Sequence, residues 1–200
     1  MIKRSTFLQG WFWSSEKKSL SYKLGDTLSQ QSMNTMKKIS LNKIVLNMGL
    51  GKSGDVIEIA SNALTQITKR KPNPRNAKKA QRDWGVRKGE PIGVIVTVRG
   101  EDAMILLKRL FQAINNQIKE KSFDDEGNVS FGIKEHIDIP DIKYDPTIGI
   151  LGLEVSASLT RPGFNIKLRS KRKSKIGINH RITKHEAQEF FTKQFGVTLV

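Results

Sequence analysis

Two patterns of apolar residues alternate along this chain, and they restrict its fold more than any other feature. Apolar residues recur at every second position, as in strands with one buried face, in 39–48, 91–99, 129–139 and 151–159. Apolar residues with helical spacing occur in 57–67, 104–118 and 187–195. Strands and helices therefore intermix along the chain, with hairpin-length links among the strands. This order predicts an α+β fold: a mostly antiparallel sheet, helices packed on one face, the other side open, and a long basic loop.

The first 38 residues lack this periodicity. They hold seven basic residues and only two acidic ones, Glu16 and Asp26, together with several serines and the aromatic cluster Trp11, Phe12 and Trp13. A basic, serine-rich and acid-poor segment is typical of an organellar transit peptide. It is equally compatible with an extension whose aromatic residues anchor on a neighbouring molecule. We therefore predict an N-terminal extension, 1–38, followed by a single α+β domain, 39–200.

The positive charge is concentrated in two segments. The chain has 35 Lys and Arg against 19 Asp and Glu, a formal net charge of +16. The segments 69–88 and 161–184 together carry +17, so the other 156 residues sum to −1. A surface that is merely soluble would interleave the two signs. Because clustered cations attract phosphates without any choice of sequence, this distribution predicts a polyanionic partner, which we take to be RNA.

Two further features bear on how such a partner would be bound. Lys43, Asn47, Thr97 and Arg99 project from the sheet face opposite the aliphatic one, and that face is either a binding surface or simply solvated. Trp84 stands among the cations of the first segment, where it either stacks on a base or anchors the loop in the core. The run 171–175 (KRKSK) is too charged to pack, so we expect it to be disordered until a nucleic acid binds.

Motifs for catalysis and cofactors are incomplete. The turn 49–54 matches G-x-G-x-x-G, but the acidic residue needed about 20 positions later is absent from 69–72 (KRKP). A phosphate-binding P-loop would need glycine at position 46, which is Leu46. The three histidines lack metal-ligand spacing, and there is no cysteine. We predict no enzyme, cofactor or metal site, and no membrane span because no long apolar run occurs.

At several segments the chain resembles the universal ribosomal large-subunit protein five family, which holds 5S ribosomal RNA in the central protuberance. The resemblance covers residues 39 to about 197, and its later segments are similar to the archaeal and eukaryotic branch. The matching segments are 43–51 (KIVLNMGLG), 87–93 (RKGEPIG), 96–100 (VTVRG), 132–138 (GIKEHID), 142–150 (IKYDPTIGI), 161–164 (RPGF) and 180–184 (HRITK).

The resemblance implies a structural role in the large subunit, with contacts to 5S rRNA, large-subunit rRNA, peptidyl-site tRNA and neighbouring ribosomal proteins, including one of the small-subunit head. The rRNA contacts predicted from charge, sheet face and resemblance are Lys43, Asn47, Arg70, Lys71, Thr97, Arg99, Arg161, Lys171, Arg172, Lys173, Lys175, His180 and Arg181. The loop that the resemblance directs toward tRNA comprises Arg75, Lys78, Lys79, Arg82, Trp84, Arg87 and Lys88.

Departures from the family pattern leave alternatives open. Arg70 stands where the family usually has a glutamine, and residues 1–38 do not look like the usual N-terminal helix. An unusual extension on a divergent core suggests a mitochondrial ribosome, with a cytoplasmic ribosome as the alternative. Because many mitochondrial ribosomes lack 5S rRNA, another RNA could then be the partner. Competing functions are a free RNA-binding chaperone or translation factor and, remotely, a nucleotide-dependent enzyme using the turn 49–54.

Overall fold

A computed structural model describes residues 34–51, 53–142, 146 and 148–200. The chain divides into two units, 1–38 and 39–200. Of the first unit the described part contains one turn of 3-10 helix, Thr35–Lys37, in which Asn34 Oδ1 accepts a hydrogen bond from the Met36 amide at 3.0 Å. The aromatic cluster 11–13 and the transit-like features lie outside the described residues.

Five strands form one antiparallel sheet in the order β2-β3-β1-β6-β5, which confirms the predicted architecture. A separate two-stranded parallel pair joins β4 to β7 near the end of the chain. The strands are β1 Ser40–Gly49, β2 Asn73–Asn76, β3 Pro91–Val98, β4 Gln117–Ile118, β5 Val129–Ile133, β6 Leu153–Thr160 and β7 Thr198–Leu199.

The helices cover one face of the sheet because the apolar side chains of the strands point mainly to that face. Ile44, Leu46 and Met48 of β1 are buried there, and the core also takes in Leu64 and Phe111 from two helices. Burial of such side chains stabilises the fold by roughly 1.5–3 kcal/mol each. The helices are α1 Asp55–Thr68, α2 Glu101–Ala113, α3 Asn165–Leu168 and α4 Lys184–Phe195.

Two predicted elements end earlier than their apolar patterns suggest. The strand predicted over 129–139 stops at Ile133, and a 3-10 helix, His136–Asp138, follows because the buried His136 donates its amide to the Leu151 carbonyl at 3.0 Å. The helix predicted over 104–118 ends at Ala113, since Asn115 and Asn116 adopt φ of 55° and 56°. Ile118 consequently belongs to β4 rather than to α2.

Two helices begin at different kinds of cap. Asp55 is the first residue of α1 and not its cap, which is Gly54 at φ 102°. At α4 the capping box is confirmed: Thr183 Oγ1 accepts from the Glu186 amide at 3.4 Å, and Glu186 Oε2 accepts from the Thr183 amide at 3.0 Å. Part of the resemblance segment 142–150 lies outside the described residues.

Candidate nucleic-acid interface

The sheet face away from the helices is lined mainly by small and polar side chains. Strand alternation and register place Lys43, Asn47 and Thr97 on this open face, as the sequence predicts, while Arg99 follows the end of β3. Asn47 Nδ2 donates to Glu154 Oε2 at 2.9 Å. The described strand residues of this face are Lys43, Val45, Asn47, Asn73, Arg75, Ile95, Thr97, Ser130, Gly132, Glu154, Ser156 and Ser158.

The first basic segment is more ordered than the loop predicted from sequence. Residues 73–76 form the edge strand β2, and the chain then continues as a hairpin over 77–90. Ala77 and Glu90 bond through their backbones at 2.8 Å, and Gln81 and Val86 exchange two backbone hydrogen bonds at 2.8 and 3.0 Å. The tip is a 3-10 turn, Arg82–Trp84, closed by Gly85 at φ 66°. Five cations of this hairpin are exposed to solvent: Lys78, Lys79, Arg82, Arg87 and Lys88.

Trp84 lies at the tip of this hairpin and is 76% exposed. The alternative in which it anchors the loop in the core is therefore wrong. An exposed indole among cations offers a flat surface on which a base or ribose can stack. Its role in binding stays a prediction.

The second basic segment contains α3 and a strap without regular structure, 169–177. Lys171, Arg172, Lys173 and Lys175 are all exposed, in agreement with a charged run that does not pack into the core. The strap is attached at a few points: the Ser174 amide donates to the Ile166 carbonyl at 3.3 Å. Its ordering by RNA stays a prediction.

Arg161, one of the predicted rRNA contacts, is buried in the protein. Its side chain is only 5% exposed, and Nη2 donates to Glu186 Oε1 at 2.7 Å. Nη1 donates to the carbonyls of His180 and Arg181 at 3.4 and 3.3 Å. The guanidinium is thus used inside the protein, where it ties the end of the basic segment to the first turn of α4. A phosphate could reach it only if these contacts broke.

Other predicted contacts lie at the surface, and two of them, Arg70 and His180, are engaged within the protein. Arg70 Nη2 donates to Asp102 Oδ2 at 2.7 Å, so its charge is partly compensated on the surface. The half-buried His180 bonds through Nε2 to the Pro162 carbonyl at 2.9 Å, while Arg181 is exposed. Lys71 is exposed without a described ion pair.

The pairing of Glu186 with Arg161 is the feature that sequence reasoning missed. Burial raises the pKa of the Glu186 carboxyl, but hydrogen bonds from the Thr183 amide and from Arg161, with the guanidinium charge, outweigh it and leave the pKa below its usual range. The capping-box motif located Glu186. Nothing in the sequence connected that motif to Arg161.

The turn 49–54 connects β1 to α1, and β1 pairs with β3 in the antiparallel sense, so the turn does not belong to a parallel βαβ unit. The described amides of Leu50 and Gly51 donate to the Ile92 carbonyl, so the turn is closed onto β3. Hydrogen bonds from Ser53 Oγ and the Arg87 amide lower the pKa of the Glu90 carboxyl. The turn is thereby fastened to the base of the hairpin.

Among the described residues, no group of His, Asp and Glu side chains is arranged to hold a metal ion. Within the same described ranges, no helix has both the length and the apolar character needed to cross a membrane.

An α+β domain with an uncovered polar sheet face and cationic segments beside it is a basic scaffold protein of the kind found in ribosomes. Residues 34–87 match the family model described as Ribosomal protein L5, and residues 91–191 match the model that describes the C-terminus of the same ribosomal family. The chain belongs to the ribosomal protein L5 family. It is a structural constituent of the large ribosomal subunit and is not an enzyme.

Individual relatives agree with this assignment. The chain is 62% identical over 172 residues to the large ribosomal subunit protein uL5 of Nitrosopumilus maritimus (strain SCM1), covering 86% of this chain and 99% of the relative. It is 59% identical over 165 residues to uL5 of Cenarchaeum symbiosum (strain A), covering 82% and 98%. For uL5 of Pyrobaculum aerophilum the identity is 50% over 162 residues, covering 81% and 90%.

Proposed function

We propose that this protein binds ribosomal RNA of the large subunit through its open sheet face and both basic segments, and that 5S rRNA is one of the RNAs bound. The observation that carries the proposal is the position of the two segments at opposite ends of the sheet. The hairpin 77–90 continues beyond the end where Gly49 pairs with Gly93, whereas residue 161 follows β6 at the end where Ser40 pairs with Thr160.

This placement suits an extended polyanion. Ten residues of β1 span roughly 30 Å at about 3.3 Å per residue. An RNA lying along the strands would meet cations at both ends and a nearly neutral polar face between them. Small hydroxyl side chains on that face, such as Ser156 and Thr97, allow close approach of sugar and phosphate groups.

The electrostatic part is tested by the salt dependence of RNA binding. Replacing Lys78 and Lys79 with alanine should weaken binding of 5S rRNA and lower the salt slope by roughly 0.9 per lost phosphate contact on duplex. The matched control, Lys108→Ala with Lys121→Ala, removes the same charge from exposed positions outside both basic segments. Equal slopes for the two double variants would contradict binding through the hairpin.

The sheet face can be tested separately. Thr97→Asp places a negative charge on the open face, and Ile105→Asp places the same charge on an exposed position of α2. We expect RNA affinity to fall severalfold more for Thr97→Asp, because the carboxylate would face the phosphates directly. Equal losses in filter binding would show that RNA does not lie on this face.

We propose further that the hairpin tip reaches the peptidyl-site tRNA. The exposed Trp84 and the hairpin that supports it favour this contact, since a rigid stem can project a stacking side chain away from the body. A photoreactive amino acid at position 84 in assembled ribosomes should crosslink to tRNA. Crosslinks to rRNA alone would refute the tRNA contact. Contacts with neighbouring ribosomal proteins, including one of the small-subunit head, are part of the same proposal.

For the compartment we propose a cytoplasmic ribosome, the alternative to the mitochondrial prediction. Its support is the 50–62% identity to relatives from three archaea over more than four-fifths of this chain. Fractionation of the source cells, followed by detection of the chain in cytoplasmic or organellar large subunits, decides between the two.

A further inference from the structure

The second basic segment encloses a cavity of about 430 Å³ that opens to the surface. Its floor is apolar: Phe164 and Ile176 are half-buried there, and Ile182 is buried. The volume lies within the range of roughly 300–1,000 Å³ that is typical of sites for small molecules. Its rim carries the cations Lys167, Lys173, Lys175 and Arg181.

Several contacts give the cavity a defined shape. On one side the turn that contains Gly127 packs so tightly on the floor that a Cβ atom there would lie 2.6 Å from Ile182 Cγ2. Two lining residues with exposed side chains also pair, Lys167 through Nζ with Glu126 Oε2 at 3.3 Å. On the other side, Arg181 Nε donates to the Ile176 carbonyl at 3.4 Å. The walls are therefore joined by packing and hydrogen bonds and are more than a gap between surface lysines.

The floor includes an aromatic ring held in place from outside the cavity. Phe164 meets the ring of His180 edge-on, with centroids 5.8 Å apart, and His180 is itself hydrogen-bonded to the Pro162 carbonyl. A ring fixed in this way loses little conformational freedom when a flat ligand packs on it.

The chemistry of floor and rim together selects one class of ligand. A phosphate backbone alone would leave the apolar floor uncovered, and an uncharged apolar ligand would not use the cations. An unpaired nucleotide satisfies both, since its base is flat and largely apolar and its flanking phosphates are anionic. We propose that the cavity receives the base of one unpaired nucleotide of the RNA, while Lys173, Lys175 and Arg181 contact the adjacent phosphates. This inference rests on the proposed function and adds a base-binding subsite to it.

The test compares two probes that carry the same charge. One is a short single-stranded oligoadenylate, and the other is the same oligomer with abasic riboses in place of adenosines. Fluorescence anisotropy of the full chain at one salt concentration gives the ratio of the two affinities. We expect the oligoadenylate to bind the wild-type chain about tenfold more tightly or better, as stacking of individual bases produces.

Two charge-matched variants assign that ratio to the cavity. Ile176→Lys puts an ammonium group into the floor, whereas Ile178→Lys adds the same charge at a position that is 82% exposed and does not line the cavity. We expect Ile176→Lys to abolish most of the ratio while binding the abasic oligomer at least as well as wild type. Ile178→Lys should keep the ratio. Phe164→Leu adds no charge and should lower the ratio by removing the ring, with circular dichroism checking that each variant is folded.

Three results would overturn the inference. Equal affinities of the wild-type chain for the two oligomers would show that no base is bound. A ratio that persists in both Ile176→Lys and Phe164→Leu would place base binding elsewhere, for example at Trp84. Both results leave the electrostatic binding of RNA intact. Failure of the wild-type chain to bind either oligomer or 5S rRNA would instead remove the proposed function, and with it the subsite.

Discussion

The buried guanidinium of Arg161 allows a sharp test of the difference between a structural cation and an RNA-binding one. We consider Arg161→Ala and Glu186→Gln, singly and combined. The first removes three hydrogen-bonded contacts that hold 178–186 together. The second removes the charge that the guanidinium faces and one of the two carboxylate oxygens, which accept from Arg161 and from the Thr183 amide. Both residues lie in the described part of the second unit, so urea unfolding followed by circular dichroism measures the effect directly.

The magnitude follows from the burial of the two partners. Breaking a fully buried ion pair costs about 3–5 kcal/mol, because the remaining charge is left without a partner in a site of low polarity. Here Arg161 is 5% exposed, but the Glu186 side chain is 41% exposed, so solvent screens part of the interaction. We therefore expect a loss of about 2–3 kcal/mol for Arg161→Ala and of about 1–2 kcal/mol for Glu186→Gln. The combined loss should fall short of the sum by roughly 1 kcal/mol.

RNA binding by the same variant separates the two roles. Because Arg161 has no free path to a phosphate, Arg161→Ala should leave the salt slope of RNA binding unchanged at a temperature where the variant is folded. Removing Lys173 and Lys175 should instead lower the slope while leaving stability within about 0.5 kcal/mol. If Arg161→Ala lowered the slope and cost less than about 0.5 kcal/mol of stability, the structural role of this residue would be refuted.

Three further predictions concern separate parts of the molecule. Gly127→Ala should lower the free energy of unfolding by at least about 2 kcal/mol in urea titrations, because φ is 79° and the new Cβ would lie 2.6 Å from Ile182 Cγ2; a neutral result would contradict the close packing. Trp84→Ala should leave the melting temperature nearly unchanged yet weaken binding of single-stranded RNA severalfold, and a large loss of stability would mean that the indole is packed. The pKa of Glu186 is lowered from 4.5 in the folded state, so the stability that its carboxylate contributes is fully present above pH 4.5 and is lost as pH falls through the folded pKa. The difference in melting temperature between wild type and Glu186→Gln should therefore shrink below about pH 4.5. A difference that stays constant would argue against the ion pair.

Sequence reasoning recovered four of the five strands of the main sheet, because apolar residues alternate along β1, β3, β5 and β6. It missed the edge strand β2, whose sequence NPRN has no apolar residue to alternate. It failed where apolar spacing continued past the true end of an element. The spacing around Ile118 still fits a helix, but the two preceding asparagines tolerate left-handed backbone and end α2. Beyond Ile133 the alternation of apolar residues continues in the sequence, but the strand ends. The buried His136 donates its amide to the Leu151 carbonyl, and the chain forms a 3-10 helix there. That bond joins residues 15 positions apart, so no local pattern could reveal it.

For the binding surface, composition showed where the cations lie along the chain but not which of them face outward. Arg161 and Arg181 belong to the same basic segment and have the same side chain. Only tertiary packing against Glu186 buries the first, whereas the second remains at the rim of a cavity. The cavity was equally hidden, because its floor combines Phe164 and Ile182, which are far apart in the segment, with a turn near Gly127. The net charge of a segment is a sum over its residues and can be read from the sequence, whereas the burial of a side chain depends on tertiary packing.

The position of the two basic segments also limits electrostatic repulsion within a chain whose net charge is +16. At physiological salt the electrostatic screening length is about 8 Å, well below the roughly 30 Å that β1 spans between the two ends of the sheet. Repulsion between the segments is therefore largely screened. The rest of the domain 39–200, with 10 basic and 16 acidic residues, carries a net charge of −6 that offsets it further. Repulsion within each segment remains, and bound phosphates would relieve it locally. It follows that charge removals in the hairpin 77–90 and in the strap 169–177 should act additively on RNA binding, whereas removals within one segment should not.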